Sequence, residues 1–328
     1  MGISGLLPLL KSIQKPCNLK KFAGQTIGVD AYVWLHRGTV SCAIDLALGK
    51  PTTKYIDFAM SRVRMLLHFG ITPYLVFDGD HLPSKGQTEK ERARRRKESK
   101  ELGLELLKLG KTAQAHLELQ KSIDVTPEMA GLLIRELKKA GIQYIVAPYE
   151  ADSQLAYLEK KGVIRGILSE DSDLLVFGAR VLITKLDQYG DCVLIRRDDF
   201  TACREISLVG WSDQEFRRMA IMGGCDYLAN IEKMGLKTAY RLIRKHKTIE
   251  RVIKAVQFDG KFKVPATYLE DFFQAELTFL HQWVYCPFEK GLVNLTPPNS
   301  VQPEEMPFIG QFVEPHIATR VAQGQLHP

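Results

Sequence analysis

The sequence predicts an α/β domain with a central, mostly parallel twisted sheet flanked by helices. Three observations predict it. Four short apolar β-runs each lead to a carboxylate: Thr26-Ile27-Gly28-Val29 to Asp30, Tyr74-Leu75-Val76-Phe77 to Asp78, Tyr144-Ile145-Val146-Ala147 to Glu150, and Gly166-Ile167-Leu168-Ser169 to Asp171. Strand-like and helix-like stretches alternate around these runs, the pattern of a parallel sheet with crossover helices. Residues 84–122 break the alternation with a highly charged, strand-free, helical stretch.

Residues 1 to about 80 alternate short strands with helices, and Tyr55 to His68 reads as an amphipathic helix feeding the strand that ends at Asp78. Thr126-Pro127-Glu128 is a helix start, with Thr126 as N-cap and Pro127 at the first helical position. That helix runs to about Ala140 and feeds the strand before Glu150. Ala151 to Lys161 reads as the next helix. Residues 212–256 are helical with a glycine break at Met234-Gly235, and the proline-rich tail from Leu295 reads as irregular chain.

The 328 residues suffice for one large domain with a proper core, and a hydrophobic content of 45% with 25% charged residues is an ordinary globular balance. The net charge is +7 despite 38 acids. A basic chain with clustered acids suits a polyanion meeting a cation-filled site, although a modest positive charge also serves solubility. None of the six cysteines shows CxxC spacing, which disfavours a zinc ribbon. No signal peptide or membrane-length apolar run is present, so an intracellular setting with reduced thiols is expected.

In an open parallel sheet the C-terminal strand ends share one edge, and ligands bind there. The acids after the four runs therefore converge. Asp152 follows Glu150 by two residues and Asp173 follows Asp171 by two, so each pair can serve one cation or two neighbouring ones. Alone, such a pair is more often a helix cap beside a solvated neighbour; four segments with one grammar make coincidence a poor explanation. So many carboxylates repel unless hard divalent cations neutralise them. Two such ions about 4 Å apart can activate water and stabilise a leaving oxygen in phosphoryl transfer. Asp226 follows Gly223-Gly224-Cys225 at a helix end and taken singly would be an ordinary cap residue.

Three further features bear on function. Lys85, Arg92 and Arg96 share one face of a helix in the basic run 85–100, near the end of the second acidic strand, and could grip a phosphate; the ordinary alternatives are a solvated helix of Glu–Arg pairs or a nuclear localisation signal. Gly235 opens a helix carrying Lys237, Thr238, Arg241, Arg244 and Lys245, a helix-two-turn-helix arrangement suited to duplex backbone. Tyr32 and His36, one helical turn apart past Asp30, could stack on a terminal base pair, though a buried tyrosine and a satisfied core histidine are commoner.

Met1-Gly2-Ile3-Ser4-Gly5-Leu6-Leu7, Leu75-Val76-Phe77-Asp78-Gly79, Ala147-Pro148-Tyr149-Glu150-Ala151-Asp152, Glu170-Asp171-Ser172-Asp173-Leu174-Leu175-Val176-Phe177-Gly178 and Gly224-Cys225-Asp226-Tyr227 together resemble the flap endonuclease superfamily of 5′ nucleases. The likeness spans almost the whole chain. Glu-Ala-Asp and Asp-Ser-Asp look like its exonuclease-one branch, since flap endonucleases usually show Glu-Ala-Glu and Asp-Met-Asp.

The resemblance implies a PIN-like nuclease domain over residues 1–328, with an N-terminal nuclease region at 1–99, a basic arch at 84–122, an internal nuclease region at 138–230 and a helix-two-turn-helix at 212–256. It implies two Mg²⁺, with Mn²⁺ able to substitute, on Asp30, Asp78, Glu150, Asp152, Asp171, Asp173 and Asp226. Lys85 and Arg92 match residues that contact the scissile phosphate. Gly2, Tyr32, His36, Arg96, Gly235, Lys237 and Thr238 match DNA-facing positions. The implied activity is 5′→3′ exonuclease and 5′-flap endonuclease action, by a nuclear monomer, on duplex DNA with 5′ ends, nicks, gaps or flaps in mismatch repair and end resection. Mismatch-repair partners would bind a long tail that this sequence lacks. The family's helix-two-turn-helix commonly holds K⁺ or Na⁺. Here Gly223 replaces a serine and Lys233-Met234-Gly235 replaces Gly-Ile-Gly, so only backbone carbonyls remain to offer ligands. The rival readings are a strict flap or junction endonuclease, a catalytically silent DNA-binding scaffold, and a small-molecule phosphatase.

Overall fold

The computed structural model describes residues 2–299 and 302–326. Among them, seven strands form one sheet: β1 (Lys15–Asn18), β2 (Thr26–Asp30), β3 (Thr72–Phe77), β4 (Gln143–Val146), β5 (Ile167–Leu168), β6 (Val181–Thr184) and β7 (Asp191–Arg196), in the order β1-β7-β6-β5-β2-β3-β4. Strands β6, β5, β2, β3 and β4 are parallel neighbours, while β7 runs antiparallel to both β6 and β1. From β2 the chain builds outward through β3 to β4, then returns to the other side of β2 as β5. The β2/β5 boundary is therefore the topological switch point, where ligands bind in open α/β sheets.

Both faces of the sheet are covered. Along β2, Ile27 and Val29 enter one core with Trp34, Leu66, Leu75, Phe77 and Leu133. Gly28 between them faces the other core, where a Cβ would come within 2.4 Å of Ile164 and 2.7 Å of Leu155. Along β3, Leu75 and Phe77 join the first core and Val76 the second, the two-residue alternation of a strand between two apolar layers. The helix Lys54–His68 buries Tyr55, Ile56, Ala59, Val63 and Leu66 in the first layer. The helix Pro127–Lys139 begins where expected, with the Thr126 hydroxyl accepting from the Met129 N–H at 3.4 Å. The helix Ala151–Lys160 lies in the second layer and is buried along most of its length.

The charged stretch folds into two packed helices, Gly86–Lys108 and Thr112–Ser122, joined by a short turn. Gly103 lets them approach: a Cβ there would lie 2.6 Å from the Leu119 side chain. Leu119 in turn packs on Ala43 and Ala47 of the body. The stretch expected to form a helix-two-turn-helix folds into helices Asp213–Met222 and Leu236–His246, followed by Ile249–Asp259.

Strands β8 (Trp283–Cys286) and β9 (Gly291–Asn294) form a separate hairpin. The Gln154 side chain ties it to the body, donating to the Tyr285 carbonyl at 2.9 Å and accepting from the Tyr285 N–H at 2.7 Å. The tail differs from the irregular chain expected of it. Pro315 starts a helix running to Ala322, and Ala318, Val321 and Ala322 are buried. A proline-rich composition signals turns, yet proline at the first helical turn costs nothing, and apolar burial carries the rest. All six cysteines are free, and no described helix is long and apolar enough to cross a membrane.

Candidate active site at the carboxyl edge of the sheet

Strand geometry delivers the acids. Asp30 is the last residue of β2 and also the N-cap of the helix Ala31–Thr39, accepting from the Val33 N–H at 3.1 Å. Across the switch point the Ser169 hydroxyl, just past β5, donates to Asp30 at 3.0 Å and accepts from the Asp171 N–H at 3.1 Å. Asp78 follows β3 and accepts from the Ala151 N–H at 2.7 Å. This bond joins the β3 loop to the helix that carries Asp152. Gly79 permits the close approach of the two loops, donating to the Tyr149 carbonyl at 2.6 Å where a Cβ would meet the Ala147 carbonyl oxygen at 2.0 Å. Asp171 accepts from the Asp173 N–H at 2.9 Å, and Asp173 accepts from the Ile3 N–H at 2.8 Å.

All seven sequence-selected acids fall within one electrostatic neighbourhood. Burial pushes Asp30 up to about 7, with Asp78 and Asp171 adding to the shift. Burial also pushes Asp78 up to about 6, against the pull of Lys85. Asp152 is raised well above the carboxylate range by burial and by Asp171 and Asp30, and Asp173 by burial and by Asp171 and Asp226. Asp171 is raised for the same first reason. Asp226 goes the other way: burial would raise it, but Lys85 and Arg92 outweigh burial and hold it low.

The basic residues come from the first turns of the charged stretch. Lys85 ion-pairs with Glu150 and lies 3.1 Å from Asp226. Arg92 donates to both carboxylate oxygens of Asp226 at 2.8 Å. Thr88, on the same helix, donates to the Asp226 carbonyl at 2.7 Å. Arg96 lies farther along and pairs with Asp124 at 3.0 Å. Tyr32 and His36 sit half-buried on the helix behind Asp30. Burial lowers the His36 pKa, so its imidazole is neutral near pH 7.

Gly2 lies against the Asp171–Asp173 turn: a Cβ there would fall 2.3 Å from Asp171 Oδ1 and 2.6 Å from Asp173 Oδ1, and its φ is +80°. Gly235 is the N-cap of the helix Leu236–His246, with Lys237 exposed and Thr238 half-buried in its first turn. Gly223 packs closely there, since a Cβ would meet Leu236 Cδ2 at 2.5 Å. Lys233 adopts φ +67°, a region that favours glycine.

Two residues to which the sequence reading gave no role complete the site. The Tyr227 hydroxyl donates to Glu150 Oε2, and the Gln282 amide donates to the same oxygen at 2.6 Å and to the Tyr227 hydroxyl at 2.8 Å. Adjacency to Asp226 was the available signal for Tyr227. Gln282 had none, being a single amide before an apolar strand.

The donor set fits hard divalent cations: carboxylate oxygens, several held away from full ionisation by burial first and by one another second, plus a buried Asp152 Oδ1 with no hydrogen-bond partner. Among the described residues no three His, Cys, Asp or Glu side chains form a ready-made cage. Lys85 stands among the acids, supplying positive charge to Glu150 and Asp226.

Two family signatures match the chain, the XPG N-terminal domain over residues 1–99 and the XPG I-region over residues 141–226. The first contains Asp30 and Asp78, the second the other five acids. Exodeoxyribonuclease 1 of Schizosaccharomyces pombe is 46% identical over 329 residues, covering 100% of this chain and 57% of that protein. The DNA damage-inducible protein DIN7 of Saccharomyces cerevisiae is 39% identical over 352 residues, covering 100% of this chain and 82% of that protein. The chain belongs to the exonuclease-one group of XPG nucleases.

As an XPG nuclease core it shares its fold with the Holliday junction-resolving enzyme GEN1, solved with product DNA and Mg²⁺. The TM-score is 0.57 at 19% identity, covering 87% of this chain and 66% of that one. The exonuclease-one core here spans about half the length of several curated relatives that it matches.

Proposed function

We propose that this chain is a divalent-metal-dependent 5′→3′ DNA exonuclease that also cuts 5′ flaps. The carrying observation is the convergence of seven acids and two cations, Lys85 and Arg92, on the switch-point edge of the sheet. The Mg²⁺ and product DNA held by the structurally similar GEN1 support the choice of ion and substrate.

Asp30, Asp78, Glu150, Asp152, Asp171, Asp173 and Asp226 would hold two Mg²⁺, with Mn²⁺ as a substitute. When bound, these ions supply the Lewis acidity and positive charge that phosphodiester hydrolysis needs. Lys85 and Arg92 exchange their present acid partners for oxygens of the scissile phosphate, offsetting the negative charge of the transition state. A water oxygen bonds to phosphorus as the P–O bond to the 3′ oxygen breaks, leaving a 5′-phosphate and a 3′-hydroxyl. Neutral His36 and the Tyr32 ring face the unpaired terminal bases beside the arch that carries Arg96. Gly2, against the Asp171–Asp173 turn, lies at the DNA entrance. Backbone N–H groups at Gly235 and Thr238, with Lys237, hold duplex phosphates without reading sequence. Mismatch repair and end resection in the nucleus are the settings this chemistry serves, with repair partners recruited through sequence outside this core.

The test uses blunt duplex labelled at either end and a 5′-flap duplex, each with Mg²⁺ and with EDTA. Mg²⁺-dependent mononucleotide release from the 5′ end is expected. Cleavage confined to the flap would move the chain to a strict flap or junction endonuclease. Binding without cleavage in any divalent ion would make it a scaffold.

A further inference from the structure

Glu150 is held in part from a stretch of chain that carries none of the seven acids. Its Oε1 faces Lys85, while its Oε2 accepts two donors, the Tyr227 hydroxyl and the Gln282 amide. Gln282 is fully buried. Its Nε2 must point at the carboxylate, because the amide oxygen in that place would meet a negative charge at hydrogen-bond distance. Its Oε1 is buried without a partner, so the amide gives up one of its own bonds in this orientation. The Tyr227 phenol carries its own proton and is the donor in that pair. Its ring is fixed edge-on against Phe279 at 4.8 Å.

The amide is itself anchored. Trp283, the next residue, donates from Nε1 to the Gly310 carbonyl at 3.3 Å. Gly310 has φ +92°, and a Cβ there would lie 2.0 Å from the Tyr149 ring, so only a glycine lets the tail segment come this close to that ring. The Tyr149 hydroxyl donates to the Gln311 carbonyl at 3.0 Å and accepts from the Gln311 N–H at 2.5 Å. Tyr149 and Glu150 are consecutive, as are Gln282 and Trp283. Two adjacent contacts thus hold the Glu150 loop, one on the acid and one on its neighbour.

We propose that Gln282 and Tyr227 are positioning residues that orient the Glu150 carboxylate for divalent-cation binding, with Gln282 held in place by the 310–311 segment of the tail. This rests on the nuclease reading above. Outer partners that orient a ligating group are worth about 10- to 100-fold in metal affinity.

The test is Mn²⁺ binding to the protein without DNA, followed by electron paramagnetic resonance, for wild type, Gln282→Met, Tyr227→Phe and the double variant. Each fold is checked by circular dichroism and by affinity for a 5′-flap duplex in Ca²⁺. The expected result is that Gln282→Met weakens Mn²⁺ binding about 10-fold or more and raises the half-saturating Mg²⁺ for cleavage. DNA affinity should stay unchanged and high Mg²⁺ should restore much of the rate. Tyr227→Phe, which keeps the amide in place, should act in the same direction, and the double variant should lose less than the product of the two. Unchanged Mn²⁺ affinity in either folded single variant overturns the proposal while leaving the nuclease reading intact. A wild type that neither binds Mn²⁺ nor cleaves DNA overturns both.

Discussion

Arg92 and Asp226, 134 residues apart in sequence, are joined by a guanidinium nitrogen 2.8 Å from both carboxylate oxygens. The pair ties the base of the charged helices to the loop between the helices Asp213–Met222 and Leu236–His246. Lys85 reaches the same carboxylate at 3.1 Å. The cations proposed to meet the substrate phosphate are thus stored on the acids proposed to meet the metals. On the proposed reading, substrate and metal binding exchange these partners, which links the charged helices to the loading of the site.

Lys85→Ala is expected to lower single-turnover cleavage by about 100- to 1,000-fold, the usual loss for one transition-state donor. Its effect on duplex affinity in Ca²⁺ should be far smaller. Arg92 is more exposed, so Arg92→Ala should show the smaller rate loss of the two. Equal cleavage by Lys85→Ala and wild type would remove Lys85 from the catalytic group.

Asp173 receives the Ile3 N–H at 2.8 Å and shares its field with Asp171 and Asp226. Asp173→Ala should abolish Mg²⁺-dependent cleavage while preserving DNA binding measured by fluorescence anisotropy. Turnover near the wild-type rate would refute the two-metal assignment.

The ion-free protein should lose stability as pH rises. Asp30 in the folded chain sits at about 7, raised by burial first and by Asp78 second, against about 3.9 for an unfolded aspartate. Between these values the folded state keeps a proton that the unfolded state has released. This contribution to stability is therefore full below about pH 4 and declines as pH approaches about 7. In EDTA, thermal unfolding of wild type should fall more steeply over that window than unfolding of Asp30→Asn. Parallel pH profiles would show that Asp30 is not held protonated.

Glu276, almost fully buried on the helix Tyr268–His281, bridges to the helix Asp213–Met222. It accepts from Arg218 Nε at 2.9 and 3.1 Å and lies 3.7 Å from Arg217 Nη2. Glu276→Ala strands two arginines and is expected to cost about 3–5 kcal/mol in urea unfolding. A loss below about 1 kcal/mol would class the cluster with exposed ion pairs.

Much of the site was legible before the fold was known, for a local reason. A run such as Thr72–Phe77 ends in a short apolar stretch, Tyr74-Leu75-Val76-Phe77, buried at its last three residues, and Asp78 is where that run stops. Parallel strand ends meet at one edge, so naming the runs placed their acids together. The helix Pro127–Lys139 announced itself through Thr126 and Pro127, whereas the capping role of Asp30 emerged only in the folded chain. Strands β1, β6 and β7 and the β8–β9 hairpin went unremarked, because short strands without a distinctive end residue leave little pattern. The tail helix Pro315–Ala322 was masked by the proline-rich chain around it, although its apolar residues fall at helical spacing.

The sequence alone determined the acids, their strand ends, the basic helix beside them and the family to which these belong, since each is carried by a few neighbouring residues. The tertiary structure alone decided that Asp226 is held low while Asp30 is pushed up, that Lys85 stands between Glu150 and Asp226, and that a buried glutamine donates to Glu150. The physical reason is range. Burial patterns are encoded residue by residue, whereas a charge environment or an amide's partner is set by chain dozens to more than a hundred positions away, brought into range by packing.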